Sequence, residues 1–149
     1  MNKKLISLLL YCSIPMVTWA DSSLQLSVPN AGTKWIPYAS LDEPKAEFLY
    51  SSDYVRKIGD LYEVEVLKNY SNLQYVGEGY GAEYNYMSAI EVQHIDCSLN
   101  KYQSKLVKAF KKTNAVEPAF YSEQTKGDWI SSDGNGGQRH LHKIICSKG

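Results

Sequence analysis

Two cysteines constrain the fold of this chain more than any other feature, because the sequence indicates that the chain is exported. Residues 1–20 have the layout of a secretory signal peptide: a basic start (MNKK), an apolar run (LISLLLYCSIPMV) and small residues before the cleavage point. Cleavage after Ala20 leaves Cys97 and Cys146, and an oxidising compartment favours one disulfide between them. That bond would close a loop of about 50 residues and contribute roughly 4 kcal/mol to stability in the chain-entropy model.

The apolar run also bears on localisation. It is too short to cross a membrane comfortably, and no later segment is long enough, so we expect no transmembrane segment in the mature chain. Cys12 lies inside the run, but Tyr11 is too bulky for the position before a lipidated cysteine, and we do not expect a lipoprotein. We expect a flexible leader over residues 21–32 and a single periplasmic, secreted or cell-surface domain over residues 33–149.

Charge is balanced overall but unevenly distributed along the chain. The formal net charge is +0, and it becomes −2 once Lys3 and Lys4 are removed with the signal peptide, so there is no general attraction to nucleic acid. Residues 42–91 are rich in acids, whereas residues 92–149 are rich in bases. Such polarity suits an electrostatic partner or self-association, and two solvated faces are the alternative.

Strand patterns dominate the mature sequence, and a short helix follows them. LYEVEVLKNY alternates apolar residues with Glu63 and Glu65, which predicts a strand with one buried and one solvated face. MSAIEVQHIDC is the next long strand, and TKWIPYAS is expected at a sheet edge because it contains Pro37. Turn residues in DGNGG precede QRHLHKIIC, which predicts a C-terminal helix with Cys146 near its end.

Residues 100–113 are ambiguous. Tyr102, Leu106 and Phe110 recur every four residues, and this period favours an amphipathic helix. The strand-rich surroundings leave a strand open as the alternative.

Two surface features are candidate partner-binding sites. The first is a group of lysines with no acid among them, which suits an acidic partner, although a solvated face would look the same: Lys101, Lys105, Lys108, Lys111 and Lys112. The second is the Tyr- and Gly-rich segment 70–86, with Tyr75 and Tyr80, which is expected to form a long hairpin loop. Tyrosine offers a large contact area at little entropic cost, which suits protein recognition or a dimer contact. A plain hairpin with core tyrosines is the alternative.

Catalytic and metal chemistry have weaker support. A Cys97–His94 nucleophile would need both side chains on one face, whereas residues three apart on a strand point to opposite faces. His94, His140 and His142 could form a metal site if the disulfide brings the tail towards the strand of His94. On a helix, however, two residues that are two apart diverge by about 200°. We therefore expect a non-enzymatic protein without a cofactor or a catalytic residue, and we keep a periplasmic metal-binding or stress-related protein as the alternative.

The order of these motifs resembles the surface-adhesin protein E family of Gram-negative bacteria. The matching segments are FLYSSDYVRKIGDLYEVEVLKNY, SAIEVQHIDC and the terminal IIC, with Trp35 in the first strand and Trp129 late in the chain. The resemblance implies an α+β fold, a mostly antiparallel sheet with a short C-terminal helix tethered by the Cys97–Cys146 disulfide. It also implies that residues 100–113 form a strand.

The resemblance carries a functional expectation as well. The best-known members are lipid-anchored, dimeric adhesins that bind host extracellular-matrix and serum proteins. We therefore expect a protein-binding domain and a homodimer. No lipidation cysteine follows the signal peptide of this chain. This departs from the family pattern, in which a lipid anchors the protein to the surface.

Overall fold

The computed structural model describes residues 33–43, 45–75, 85–125 and 127–148, and this part of the chain contains eight strands and one α-helix, joined by turns and short 3-10 helices. The elements in chain order are β1 (Trp35–Asp42), β2 (Lys45–Ser51), β3 (Arg56–Ile58), β4 (Leu61–Tyr75), β5 (Asn85–Asp96), β6 (Lys101–Phe110), β7 (Tyr121–Gln124), β8 (Ile130–Ser131) and α1 (Gly136–Cys146). The expected signal peptide and leader, as well as residues 76–84 of the Tyr- and Gly-rich segment, lie outside the described residues. None of the helices in the described part is long and apolar enough to span a membrane.

All eight strands belong to one antiparallel sheet, as the resemblance implied. Its order is β1-β2-β4-β5-β6-β7, with β3 also paired to β4 and β8 also paired to β6. The long β4–β5 hairpin forms the centre, and β1 lies at an edge as its proline predicted. Pro37 has no N–H to donate to a neighbouring strand, and the register of β1 shifts just after it.

The sheet has two covered faces. On the first, which we call the helix face, Val64, Val66 and Ile95 pack with Leu141 and Ile145 of α1. On the second, which we call the loop face, Leu67, Ile90, Val92, Leu106 and Phe110 form a cluster. This cluster packs against Ala115, which lies in the β6–β7 connection, and against Trp35 at the start of β1.

Because both faces of the sheet are covered, two glutamates of β4 are buried. Glu63 and Glu65 are only 5% and 3% exposed, so the predicted solvated face of this strand is wrong. Glu63 accepts a hydrogen bond from Arg56 Nε at 2.7 Å, and its Oε2 lies 3.0 Å from His94 Nε2. Because a paired carboxylate tolerates burial, strand alternation alone does not distinguish it from a solvated one.

Residues 101–110 form a strand. This confirms what the family resemblance implied, and the amphipathic helix that the four-residue period favoured is wrong. Val92 pairs with Leu106 and Gln93 pairs with Ser104, so Lys105 is the extra residue of a β-bulge. Tyr102, before the bulge, packs in the helix-face cluster, whereas Leu106 and Phe110, after it, pack in the loop-face cluster. A bulged strand that serves both cores therefore produces the four-residue period.

The predicted C-terminal helix and the disulfide are both confirmed. The side chain of Asn135 caps α1 by accepting a hydrogen bond from the Gln138 N–H at 3.1 Å. Cys146 in the last turn is bonded to Cys97, just after β5, with the two Cα atoms 5.7 Å apart. The bond joins the helix to the centre of the sheet.

We expect replacement of both cysteines by alanine to lower the free energy of unfolding by about 4 kcal/mol, because the 49-residue separation no longer restricts the unfolded chain. Urea unfolding of the oxidised mature domain, the reduced domain and the double variant would measure this. The reduced protein and the variant should agree. A loss below about 1 kcal/mol would contradict the entropic account.

Candidate functional site

A cleft on the helix face lies next to the first turns of α1. The helix begins at Gly136–Gly137, where its backbone lies close to β1 and β2. A Cβ on Gly137 would come within 2.9 Å of the Ala39 Cβ and 3.9 Å of a ring carbon of Phe48. Glycine therefore permits the close approach, and a cleft of about 240 Å³ forms between this end of the helix and the sheet.

The floor of the cleft is a buried polar network that spans four elements. Glu91 on β5 pairs through Oε1 with Lys68 on β4. Its Oε2 accepts hydrogen bonds from Gln93 Nε2 at 2.9 Å and, at 3.3 Å, from the Ser104 hydroxyl on β6. Gln93 Oε1 in turn accepts from Gln138 Nε2 of α1 at 2.9 Å. The network thus connects the first turns of the helix to the middle of the sheet.

Electrostatics keep the carboxyl of Glu91 ionised. Burial opposes ionisation and is the largest single effect, but the charge of Lys68 and hydrogen bonds from Lys68, Gln93 and Ser104 outweigh it. The pKa of Glu91 is therefore lower than its ordinary value. Its side chain is 13% exposed and that of Lys68 is 25% exposed, so the pair lies at the bottom of the cleft rather than on an open surface.

A row of aromatic rings crosses the same face on β1, β2, β4 and β5. Ring centroids are 6.3 Å apart for Tyr38 and Phe48, 6.3 Å for Phe48 and Tyr70, and 5.8 Å for Tyr70 and Tyr86. Burial, followed by the charge of Glu91, raises the pKa of Tyr70 to about 12, and the same two effects lead the rise for Tyr38. These phenols keep their protons and can donate hydrogen bonds.

The five predicted lysines form two groups in the strand structure instead of one helical stripe. Lys101 and Lys108 lie at loop-face positions of β6, with Lys105 at the bulge between them. Lys111 and Lys112 follow the strand and have local contacts. The Lys111 ammonium lies 4.2 Å from the centre of the Phe120 ring, and Lys112 pairs with Glu117.

The structure describes one of the two predicted tyrosines. Tyr75 is the last residue of β4 and is 67% exposed. Tyr80 lies outside the described residues.

The three histidines do not converge. His94 lies beside Glu63 on the loop face, whereas His142 of α1 lies on the helix face, with its Nε2 3.2 Å from the backbone oxygen of Asp96. His140 is exposed. Within the described ranges, the group of three potential metal ligands that comes together is Cys97, His142 and Cys146, and its two sulfurs are joined in the disulfide. The described structure therefore offers no three-histidine site.

Sequence reasoning missed Lys68 and Glu91. Glu91 has Ile90 and Val92 on either side in the middle of a long strand, and a charge in such a place is a signal of burial, whereas Lys68 is followed by Asn69 and gives no such signal. Choosing Lys68 as the partner of Glu91 requires the β4–β5 register, which pairs Val66 with Glu91 and Lys68 with Ala89.

Comparison with known proteins gives one match. A family model described as surface-adhesin protein E matches residues 35–147. No curated protein and no solved structure matches the chain.

We expect Glu91→Gln to lower the free energy of unfolding by about 2 kcal/mol at pH 7, because Lys68 loses its buried partner. The folded-state pKa of Glu91 is lower than its ordinary value of 4.5, so the wild-type advantage is fully present above that pH. It should be lost as the pH falls through the folded-state pKa. Urea unfolding at several pH values measures the difference, with Glu47→Gln, at an exposed position of β2, as the control. A difference that does not change with pH would contradict the assignment.

Proposed function

The chain belongs to the surface-adhesin protein E family, and we propose that it is an exported, non-enzymatic domain that binds a protein partner. Host extracellular-matrix and serum proteins are the most specific class of partner that we propose. The signal peptide pattern supports export, and the family supports a location at the surface or in the medium. Fractionation of the producing cells tests the location, because a protein confined to the periplasm would not meet a host protein.

The observation that carries the proposal is the basic character of β6. Lys105 and Lys108 form no salt bridge with any residue that the structure describes, and Lys101 is exposed next to Ser131 of β8. Three ammonium groups on one strand give a positive surface that attracts acidic segments of a partner. Their number matters more than any single contact, because an isolated surface ion pair contributes only about 0.2–1 kcal/mol.

The local contacts of two lysines reduce the set to which we assign partner binding. Lys111 lies over a ring and Lys112 lies in an ion pair, so part of their effect on the protein is local. We therefore assign the main role in binding to Lys101, Lys105 and Lys108, and a minor role to Lys111 and Lys112.

The end of β4 is the second proposed contact region. Tyr75 and Leu73 are 67% and 51% exposed, and together they present an aromatic and an aliphatic side chain to solvent. Exposed tyrosine is frequent in protein interfaces. We propose that Tyr75, together with Tyr80, contributes to a protein contact or to the expected homodimer. Light scattering of the mature domain tests the dimer, which should dissociate more readily when Tyr75 is replaced by Ser.

We expect the triple variant K101E/K105E/K108E to bind immobilised host matrix protein on the order of 10-fold more weakly than the wild type, since it replaces three attractions by three repulsions. Solid-phase binding at low and high salt measures this, and salt should weaken the wild type more than the variant.

The matched control is K34E/K45E/K143E, which changes the net charge equally at exposed positions outside β6. Unchanged binding by the β6 variant would contradict the proposed role of these lysines. An equal loss in both variants would indicate a general charge effect and would also contradict it.

A further inference from the structure

We propose that the cleft on the helix face binds a neutral saccharide of one or two rings. This site is separate from the lysines of β6, because the cleft opens beside α1 whereas Lys101 and Lys108 lie at loop-face positions. The inference therefore goes beyond protein binding and does not depend on it.

The charge of the cleft argues for a neutral ligand. Both oxygens of Glu91 already accept hydrogen bonds from the chain, one from Lys68 and the other from Gln93 and Ser104. The positive and negative charges in the floor cancel each other, so the lining residues that the structure describes present no unpaired charge to a charged ligand. A zwitterionic ligand would have to separate Lys68 from Glu91, which is costly for a buried pair.

The polar groups of the cleft suit a ligand that is rich in hydroxyls. The Lys68 ammonium has three N–H donors, and the Glu91 contact uses one of them. Gln138 and Ser104 add further hydrogen-bonding capacity along the wall, and Tyr38 and Tyr102 place phenol groups beside it. A sugar hydroxyl both donates and accepts, so it can match donors and acceptors that lie side by side.

The apolar groups of the cleft suit the C–H face of a sugar ring. Phe48 lines the cleft and stands in the aromatic row next to Tyr70, while Ile130 contributes an aliphatic side chain. Ligand sites commonly combine such apolar walls with a few polar groups that fix orientation. The volume of about 240 Å³ lies below the roughly 300–1,000 Å³ of pockets for drug-sized ligands, which favours a small ligand.

The network itself indicates that the cleft has a role other than stability. A sheet face can be filled with aliphatic side chains, and replacing a buried ion pair by such residues is often neutral or stabilising. This face instead holds a lysine, a glutamate and two glutamines, of which Gln93 and Gln138 are 1% and 7% exposed. A site that orients a polar ligand uses such residues, whereas a plain core does not need them.

The experiment is a titration of the mature, oxidised domain with small saccharides, followed by saturation-transfer NMR and calorimetry. The probes are glucose, galactose, mannose and N-acetylglucosamine, compared with glucuronic acid, sialic acid and glycine. We expect at least one neutral sugar to bind with a Kd of about 1 mM. The charged probes should bind at least about tenfold more weakly. No binding of a neutral sugar at ten times that concentration, or tighter binding of a charged probe, would overturn the proposal.

Three variants locate the site. Phe48→Leu removes a ring from the cleft, and we expect it to weaken saccharide binding about fivefold. Ile130→Ala changes a side chain that is 51% exposed, so it should fold normally and also weaken binding. Phe120→Leu is the matched control, because this ring lies under Lys111 and away from the cleft. If Phe48→Leu and Ile130→Ala both bind saccharide as the wild type does, the site lies elsewhere and the inference is wrong.

The β6 variant separates the two proposals. K101E/K105E/K108E should bind saccharide as the wild type does, even when its binding to matrix protein is weakened. Loss of saccharide binding in this variant would contradict a site on the helix face.

Discussion

The covalent bond between Cys97 and Cys146 is the constraint on which the helix face depends. A helix of 11 residues is too short to be stable in water alone, so α1 needs attachments to the sheet. Its last turn has the disulfide, its middle has Leu141 and Ile145, and its first turns have the hydrogen bond from Gln138 to Gln93. Together these hold the helix over one part of the face, and the cleft is the space beside its first turns.

Each face of this sheet holds a buried carboxylate with a cationic partner. On the loop face Glu63 lies between Arg56 and His94, and on the helix face Glu91 pairs with Lys68. Each carboxylate lies on a central strand and finds a cation across the sheet, which limits the cost of taking it out of water. The two networks differ in their surroundings, because the helix-face network borders a cleft with aromatic walls, whereas Glu63 lines none of the described clefts.

Much of this architecture follows from local features of the sequence. The cysteines, the strand signals, the proline at the edge and the turn before QRHLHKIIC act over short distances or through covalent chemistry, and the structure agrees with them. Glu63 and Glu65 were expected in solvent because burial depends on what covers a face, which strand alternation does not contain. The cleft was not foreseen for a similar reason, since Lys68, Glu91 and Gln138 meet only through strand register and helix placement.

The bulge at Lys105 gives that residue two separate roles. Its side chain carries one of the charges on β6, while its backbone is the unpaired residue of the bulge, with Tyr102 in one core before it and Leu106 in the other core after it. Substitution would change only the charge. Deletion would remove the bulge but leave Ser104 opposite Gln93 and Leu106 opposite Val92, so each of these side chains would keep its face. The bulge thus adds a charge to β6 without moving any core side chain from one face to the other.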